Sequence, residues 1–154
     1  MFYFIADPST YHRVHRKSTH AFATAPAVWE RDELVLLAET RDQKRTLHKQ
    51  VQFLAKILDI RAPKEGELEL LFPGVGAADR WHYVVDLYWA RPLPVPFNLQ
   101  EVAGVDHAAF RTVQQFKRLA DSEAMAVFEF LCERNSSVVL DFINRADPED
   151  PAAR

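Results

Sequence analysis

The stretch Trp81-His82-Tyr83-Val84-Val85-Asp86-Leu87-Tyr88-Trp89-Ala90-Arg91-Pro92-Leu93-Pro94-Val95-Pro96 decides the fold. Successive side chains of a strand point to opposite faces. Trp81, Tyr83, Val85, Leu87 and Trp89 therefore share one face, and His82, Val84, Asp86 and Tyr88 share the other. An apolar face backed by a partly polar, aromatic one suits a strand that builds a core and lines a pocket together. Pro92, Pro94 and Pro96 lack the backbone N–H that central pairing needs, which predicts an extended, edge-like exit.

Upstream, residues 2–6 read as a short buried strand stopped by Asp7-Pro8, with Ser9 and Thr10 starting a turn or short helix. Residues 18–27, Ser-Thr-His-Ala-Phe-Ala-Thr-Ala-Pro-Ala, have small side chains and no clean period, and read as a loop lying over another part of the fold. Trp29-Glu30-Arg31-Asp32 then leads into a central strand, Glu33 to Glu39. After a polar, basic connection at 40–50, Val51, Phe53, Ala55, Ile57 and Asp59 alternate with Gln52, Leu54, Lys56, Leu58 and Ile60, a strand with one partly wet face. Pro63-Lys64-Glu65-Gly66 and Pro73-Gly74-Val75-Gly76 are breakers, and Glu67 to Phe72 between them is expected to add an edge strand.

Downstream, Phe110, Val113, Phe116 or Lys117, and Leu119 form one helical stripe. Ala124, Val127, Phe128 and Leu131 form another, behind the capping signal Asp121-Ser122-Glu123-Ala124. Val138 to Ile143 fits a strand or a helix equally. Residues 147–154 read as a flexible tail, and residues 1–146 as a single domain. Strands followed by helices predict an α+β domain: a small twisted, mixed β-sheet or pseudo-barrel with flanking carboxy-terminal helices.

Composition narrows the function. A 154-residue chain that is 48% apolar buries a core without metal or disulfide staples. Four glycines argue against a phosphate-cradling loop, and Walker, dinucleotide-binding, deaminase and Gly-x-Ser-x-Gly motifs are absent. Cys132, the single cysteine, excludes an intrachain disulfide and fits a reducing compartment. No signal-peptide pattern and no long apolar run is present, so a cytoplasmic location without membrane contact is expected. His12, His15 and His20 are spaced closely enough to share zinc, but no cysteine is near, and solvent-facing histidines in a basic loop are the simpler reading. No metal, cofactor or catalytic residue is expected.

Net charge is −3, yet Arg13, Arg16 and Lys17 form one basic cluster and Arg41, Lys44 and Arg45 another. These six are the expected phosphate contacts. Trp29, Trp81, Tyr83, Tyr88 and Trp89 supply planar surfaces for a ligand, with Ser18, Thr19, Asn98, Arg111 and Gln114 as directional polar groups. Stacking a base on an aromatic ring contributes about 1–3 kcal/mol. Core packing is the competing role for Trp81, Tyr83 and Trp89, and partial exposure that for Tyr88.

The order of Met1 to Asp7, Trp29 to Leu37, Val51 to Ile60, Trp81 to Pro96 and Phe110 to Phe116 resembles the PUA-like superfamily of pseudo-barrels, in particular its EVE-like, YTH-like and ASCH-like branches. The resemblance spans residues 1–133. It implies RNA or DNA as partner, and a modified base held in an aromatic pocket. The chain departs from the EVE-like pattern at 18–24, which reads Ser-Thr-His-Ala-Phe-Ala-Thr in place of a Gly-Val-Arg segment. The expected function is non-catalytic recognition of a plain or modified nucleobase in RNA or DNA. Two alternatives remain. One is an ASCH-like small nuclease or hydrolase using Lys17, Lys44, Asp59, Asp86 or Arg111. The other is a protein-interaction module, including a homodimer, built on Arg91–Pro96 and Val138–Ile143.

Overall fold

The computed structural model describes residues 1–6, 17–39, 50–74, 76–106 and 117–144. Six strands, β1 (Phe2–Ala6), β2 (Lys17–Phe22), β3 (Leu34–Glu39), β4 (Val51–Arg61), β5 (Tyr83–Phe97) and β6 (Lys117–Arg118), form one mixed sheet in the order β2-β5-β4-β3-β1-β6. β1 runs parallel to β3, and the other neighbours are antiparallel. Two short helices, α1 (Glu67–Leu71) and α2 (Ala77–Arg80), lie between β4 and β5, and α3 (Asp121–Arg134) and α4 (Ser136–Asn144) close the described chain. No helix among the described residues is long and apolar enough to cross a membrane.

The sheet curls into a half-barrel because its central strands are apolar on both faces. Val35 and Leu37 of β3, Ala55 and Ile57 of β4 and Val85 and Leu87 of β5 point inward. There they meet Phe2 and Phe22 from opposite sides of the sheet, and the half-buried Trp29 packs against the same cluster. The outer face carries Leu34, Leu36, Leu54, Tyr88, Trp89 and Phe97, and is covered by Val127 and Leu131 of α3 and Val139 of α4. Burying a residue of this size stabilises the fold by about 1.5–3 kcal/mol. The α+β half-barrel with carboxy-terminal helices is the architecture expected from the sequence.

Several local expectations are corrected. Residues 17–22 are not a loop but edge strand β2, paired with Tyr83–Tyr88, and the Thr19 hydroxyl donates to Asp86 Oδ1 at 2.6 Å. His20 consequently does not face solvent. It lies opposite Val85 and is 3% exposed, and burial lowers its pKa to about 4. Glu67 to Leu71 is helical rather than an edge strand. The Glu67 carboxylate accepts from the Lys64 backbone N–H at 2.7 Å and fixes the first turn. Leu70, one of its alternating apolar residues, is 83% exposed. Lys56 is buried, because α4 covers the face of β4 that reads as partly wet. The ambiguous segment 138–143 lies within α4.

The largest correction concerns the deciding stretch. Between the pairs Lys56–Tyr88 and Leu54–Arg91, β5 advances one residue more than β4, and Trp89 sits there at φ 51°. The extra residue is a β-bulge, which breaks the period of two. Val85 and Leu87 stay inside the barrel, while Tyr88 and Trp89 both pack on the helix-covered face. The strand continues past Tyr88, the register partner of Lys17, through Pro92, Pro94 and Pro96, all exposed. Of the predicted helical stripe, Phe110, Val113 and Phe116 lie outside the described residues, while its last turn is corrected: Lys117–Arg118 form β6 against β1, and Leu119 follows it, buried but not helical. Both basic clusters apart from Lys17, and the 147–154 tail, also lie outside the described residues.

Candidate functional site

The bulge at Trp89 gathers the unusual chemistry of the described chain. Lys56 stands directly opposite Tyr88, and its ammonium lies 5.7 Å from the centre of the Trp89 ring and 4.6 Å from that of Phe142. The Arg91 guanidinium approaches the Trp89 ring at 5.3 Å, while its Nε donates to Asp141 Oδ2 at 3.3 Å. Phe142 meets Trp89 edge-on, centroids 5.4 Å apart. Cations are attracted to the negative faces of such rings, by about 2 kcal/mol or more when water is excluded. The Tyr88 hydroxyl donates to Asp32 Oδ1, in the turn that leads into β3. Trp89 is 7% exposed, and its indole Nε1–H has no hydrogen-bond partner among the described residues.

An apolar groove of about 370 Å³ opens beside this cluster. Met1 and Leu34 line it on one side, and Ala124, Met125, Phe128 and the single charged member, Glu129, of α3 and Phe142 of α4 line the other. Leu34 pairs with Lys56 across β3 and β4, so groove and buried ammonium share one patch of sheet, with Phe142 between them.

A second cavity of similar size, about 370 Å³, lies at the α1–α2 lobe, lined by Lys64, Glu65, Glu69, Trp81 and His82 among others. Behind it Arg61 donates to both Glu67 oxygens at 2.8 and 2.7 Å and to Asp86 at 2.8 Å. The hydrogen bond from Arg61 holds the Glu67 carboxyl down at about 2, and Glu67 in turn raises the Arg61 pKa. This chain from Thr19 through Asp86 and Arg61 to Glu67 is a strut that fixes the lobe on the sheet. Among the described residues no group of His, Cys, Asp and Glu is arranged to hold a metal ion.

The expected ligand residues are therefore divided among three places. Tyr88 and Trp89 are together on the helix-covered face, and Tyr88 is fully buried rather than partly exposed. Trp29 packs on the barrel interior. Trp81 packs on Leu68, Ala77 and Val84 and against Phe72, ring centroids 4.7 Å apart. Tyr83 is exposed at the start of β5. Thr19 belongs to the strut, and Ser18 and Lys17 stand in β2 opposite Leu87 and Tyr88. Asn98 caps a helical turn by accepting from the Gln100 backbone at 3.1 Å. Arg111, Gln114, Arg13, Arg16, Arg41, Lys44 and Arg45 lie outside the described residues. Sequence reasoning missed Lys56, Arg91 and Phe142; a lysine inside an otherwise apolar central strand was the signal for the first.

No protein-family model matches the sequence, and no curated protein matches it significantly. The structure is similar to that of ASCH from Zymomonas mobilis, with a TM-score of 0.52 at 15% identity, over 83% of this chain and 93% of that one. The fold is ASCH-like. The half-barrel and its helices thus agree with the PUA-related architecture.

Proposed function

We propose that this protein binds single-stranded RNA or DNA without cleaving it, and takes one unpaired base, plain or modified, into the groove between α3, α4 and the outer face of the sheet. The observation that carries this reading is the cluster of Lys56, Arg91 and Trp89 behind Phe142, whose ring itself lines a largely apolar groove with a volume that accommodates a nucleobase. A ring stacked on Phe142 or Phe128 gains from planar contact, and the neighbouring cations offset the negative charge of the strand. The ASCH-like fold, and the resemblance to base-binding PUA-like branches, support the same class of ligand.

The two basic clusters are the phosphate path of this reading, and the connectivity of the described strands supports it. The cluster Arg13, Arg16 and Lys17 ends on Lys17, whose register partner is Tyr88, one residue from the bulge. Ala6 and Glu39 are also register partners, so the connections carrying the two basic clusters leave the same end of the sheet from adjacent strands. Six such contacts would give a steep salt dependence, with a logarithmic slope of about −0.7 per phosphate on a single strand.

The test is fluorescence titration with single-stranded RNA and DNA octamers at low salt. Saturable binding is expected, weakened about tenfold by Phe142→Ala in folded protein, in line with the stacking contribution of one base. Neutralising Arg13, Arg16 and Lys17 together should flatten the salt dependence by about two in slope. Absence of saturable binding, or progressive shortening of the octamer, overturns the proposal.

A further inference from the structure

Trp89 carries two costs at one position. A bulky residue at φ 51° is a backbone outlier, a strain that persists where the surrounding structure enforces it. Its indole N–H is sealed from solvent and has no partner among the described residues, which costs the desolvation of a buried donor. A core position has no need of either, since phenylalanine would fill the same space without an orphan donor. The bulge is what turns the ring out of the barrel interior, where the alternation of β5 would have sent it, and towards α4.

The groups around that donor are alike. Lys56 and Arg91 carry donors only, and the indole nitrogen is also a donor only. Asp141 provides the nearby acceptor capacity, and it is engaged with Arg91. Phe142 touches Trp89, lies against the Lys56 ammonium and lines the groove, so its ring adjoins both the groove and the donor cluster.

We infer that the Trp89 bulge is a specificity device that selects a base presenting acceptor oxygens, guanine first and uracil next, over adenine, with Trp89 Nε1–H donating to the base carbonyl. This inference rests on the base-binding reading above and adds the identity of the base. Guanine offers O6 and N7 side by side, the acceptor pair that Lys and Arg read in nucleic acids, and uracil offers a carbonyl without a neighbouring purine nitrogen. Adenine places its N6 amino donor beside both N1 and N7, against a rim that has donors of its own. A site built to make a buried hydrogen bond rejects the ligand that cannot complete it.

The experiment uses the full chain and octamers with one central base, guanine, uracil or adenine, flanked by abasic nucleotides. Guanine and uracil octamers are expected to bind at least tenfold more tightly than adenine, and Trp89→Phe to bring the three affinities together. On the wild-type protein, the Trp89 indole N–H proton resonance, assigned by its loss in Trp89→Phe, should move downfield on adding the guanine octamer and stay in place with adenine. The shift is read on the wild-type protein, and with three tryptophans in the chain the resonance can equally be assigned by elimination from Trp29→Phe and Trp81→Phe. Equal affinity for all three bases, or an indole resonance unmoved by saturating guanine octamer, overturns the acceptor-edge inference and leaves base binding standing. Failure of every octamer to bind overturns the base-binding reading and this inference with it.

Discussion

The two faces of the curled sheet are buried by the same strands but are chemically unlike. Inside the half-barrel, Phe2, Val35, Leu37, Ala55, Ile57, Val85 and Leu87 are sealed completely. His20 is the titratable side chain that the described strands place among them. Outside, under α3 and α4, an equally apolar surface is interrupted by Lys56, Tyr3, Tyr88 and Trp89, and the cover is incomplete enough to leave a groove. Burial raises the Tyr3 phenol pKa there as well. One face stabilises the fold. The other tolerates a buried ammonium, a strained tryptophan and an unpaired donor, which a face selected for stability alone would replace with aliphatic groups. Function is expected where stability has been left incomplete.

The largest effect that tests this contrast is a matched truncation. Leu87→Ala removes a fully buried side chain from the barrel interior and should cost about 3 kcal/mol, within the range for Leu to Ala in a close-packed core. Phe142→Ala removes a larger ring, but one half-buried on a terminal helix. It should cost only about 1–2 kcal/mol, mostly the edge contact with Trp89 and the cation contact with Lys56. Urea unfolding of both variants gives the comparison directly. If Phe142→Ala proves the more damaging, the outer face is as much core as the inner one, and the division fails.

His20 offers the next test, of about the same size. Its folded pKa of about 4 lies below the unfolded value of about 6.5, so the unfolded chain takes up a proton first as pH falls. The stability from keeping the imidazole neutral is complete above pH 6.5 and is lost through the window from 6.5 down to 4, by up to about 3 kcal/mol. Most of that loss falls above pH 5, before depressed carboxylates such as Glu67 begin to titrate. Unfolding free energies at pH 7 and pH 5 should therefore differ by about 2 kcal/mol in the wild type and by much less in His20→Gln. A flat profile would mean that the interior admits water at β2.

The strands were legible because periodicity and composition agreed: β1, β3 and β4 appear within a residue or so of where alternation and breakers place them. What escaped reading depends on tertiary pairing. β2 has small, weakly patterned residues, and becomes a strand because the edge of β5 supplies its hydrogen bonds and Asp86 holds Thr19. Glu67–Leu71 alternates like a strand, but Gly66 at φ 72° and the Glu67 cap start a helix. The site was partly legible: Tyr88 and Trp89 were singled out, yet strict alternation assigned Trp89 to the face of Val85 and Leu87. A single extra residue in β5 reverses that assignment, and no feature of Leu87-Tyr88-Trp89-Ala90 announces a bulge. Lys56 read as solvent-facing because its cover, Phe142, comes from a helix far along the chain, and strand alternation carries no signal of such a distant contact.

The smallest expected effect concerns what holds α4 over the outer face. The Arg91–Asp141 pair spans 3.3 Å with both side chains about one third exposed, at 32% and 31%. Water and salt screen such a pair, which typically contributes well under 1 kcal/mol. The helix is held instead by Val139 in the core, by Phe142 on Trp89, and by Asn135 at its entry. The Asn135 side chain accepts from Val95 N–H at 2.9 Å and donates to Val95 C=O at 3.1 Å, as a paired strand would. Asp141→Asn, which keeps the shape and an acceptor oxygen, should therefore lower stability by no more than about 0.5 kcal/mol. In 1 M salt, where charges are screened within about 3 Å, variant and wild type should coincide. A loss above about 2 kcal/mol that persists in salt would mean that the Arg91–Asp141 contact is integral to the core. The cover over Lys56 and Trp89 would then be fixed rather than displaceable, and the outer face would no longer be the one left open for a ligand.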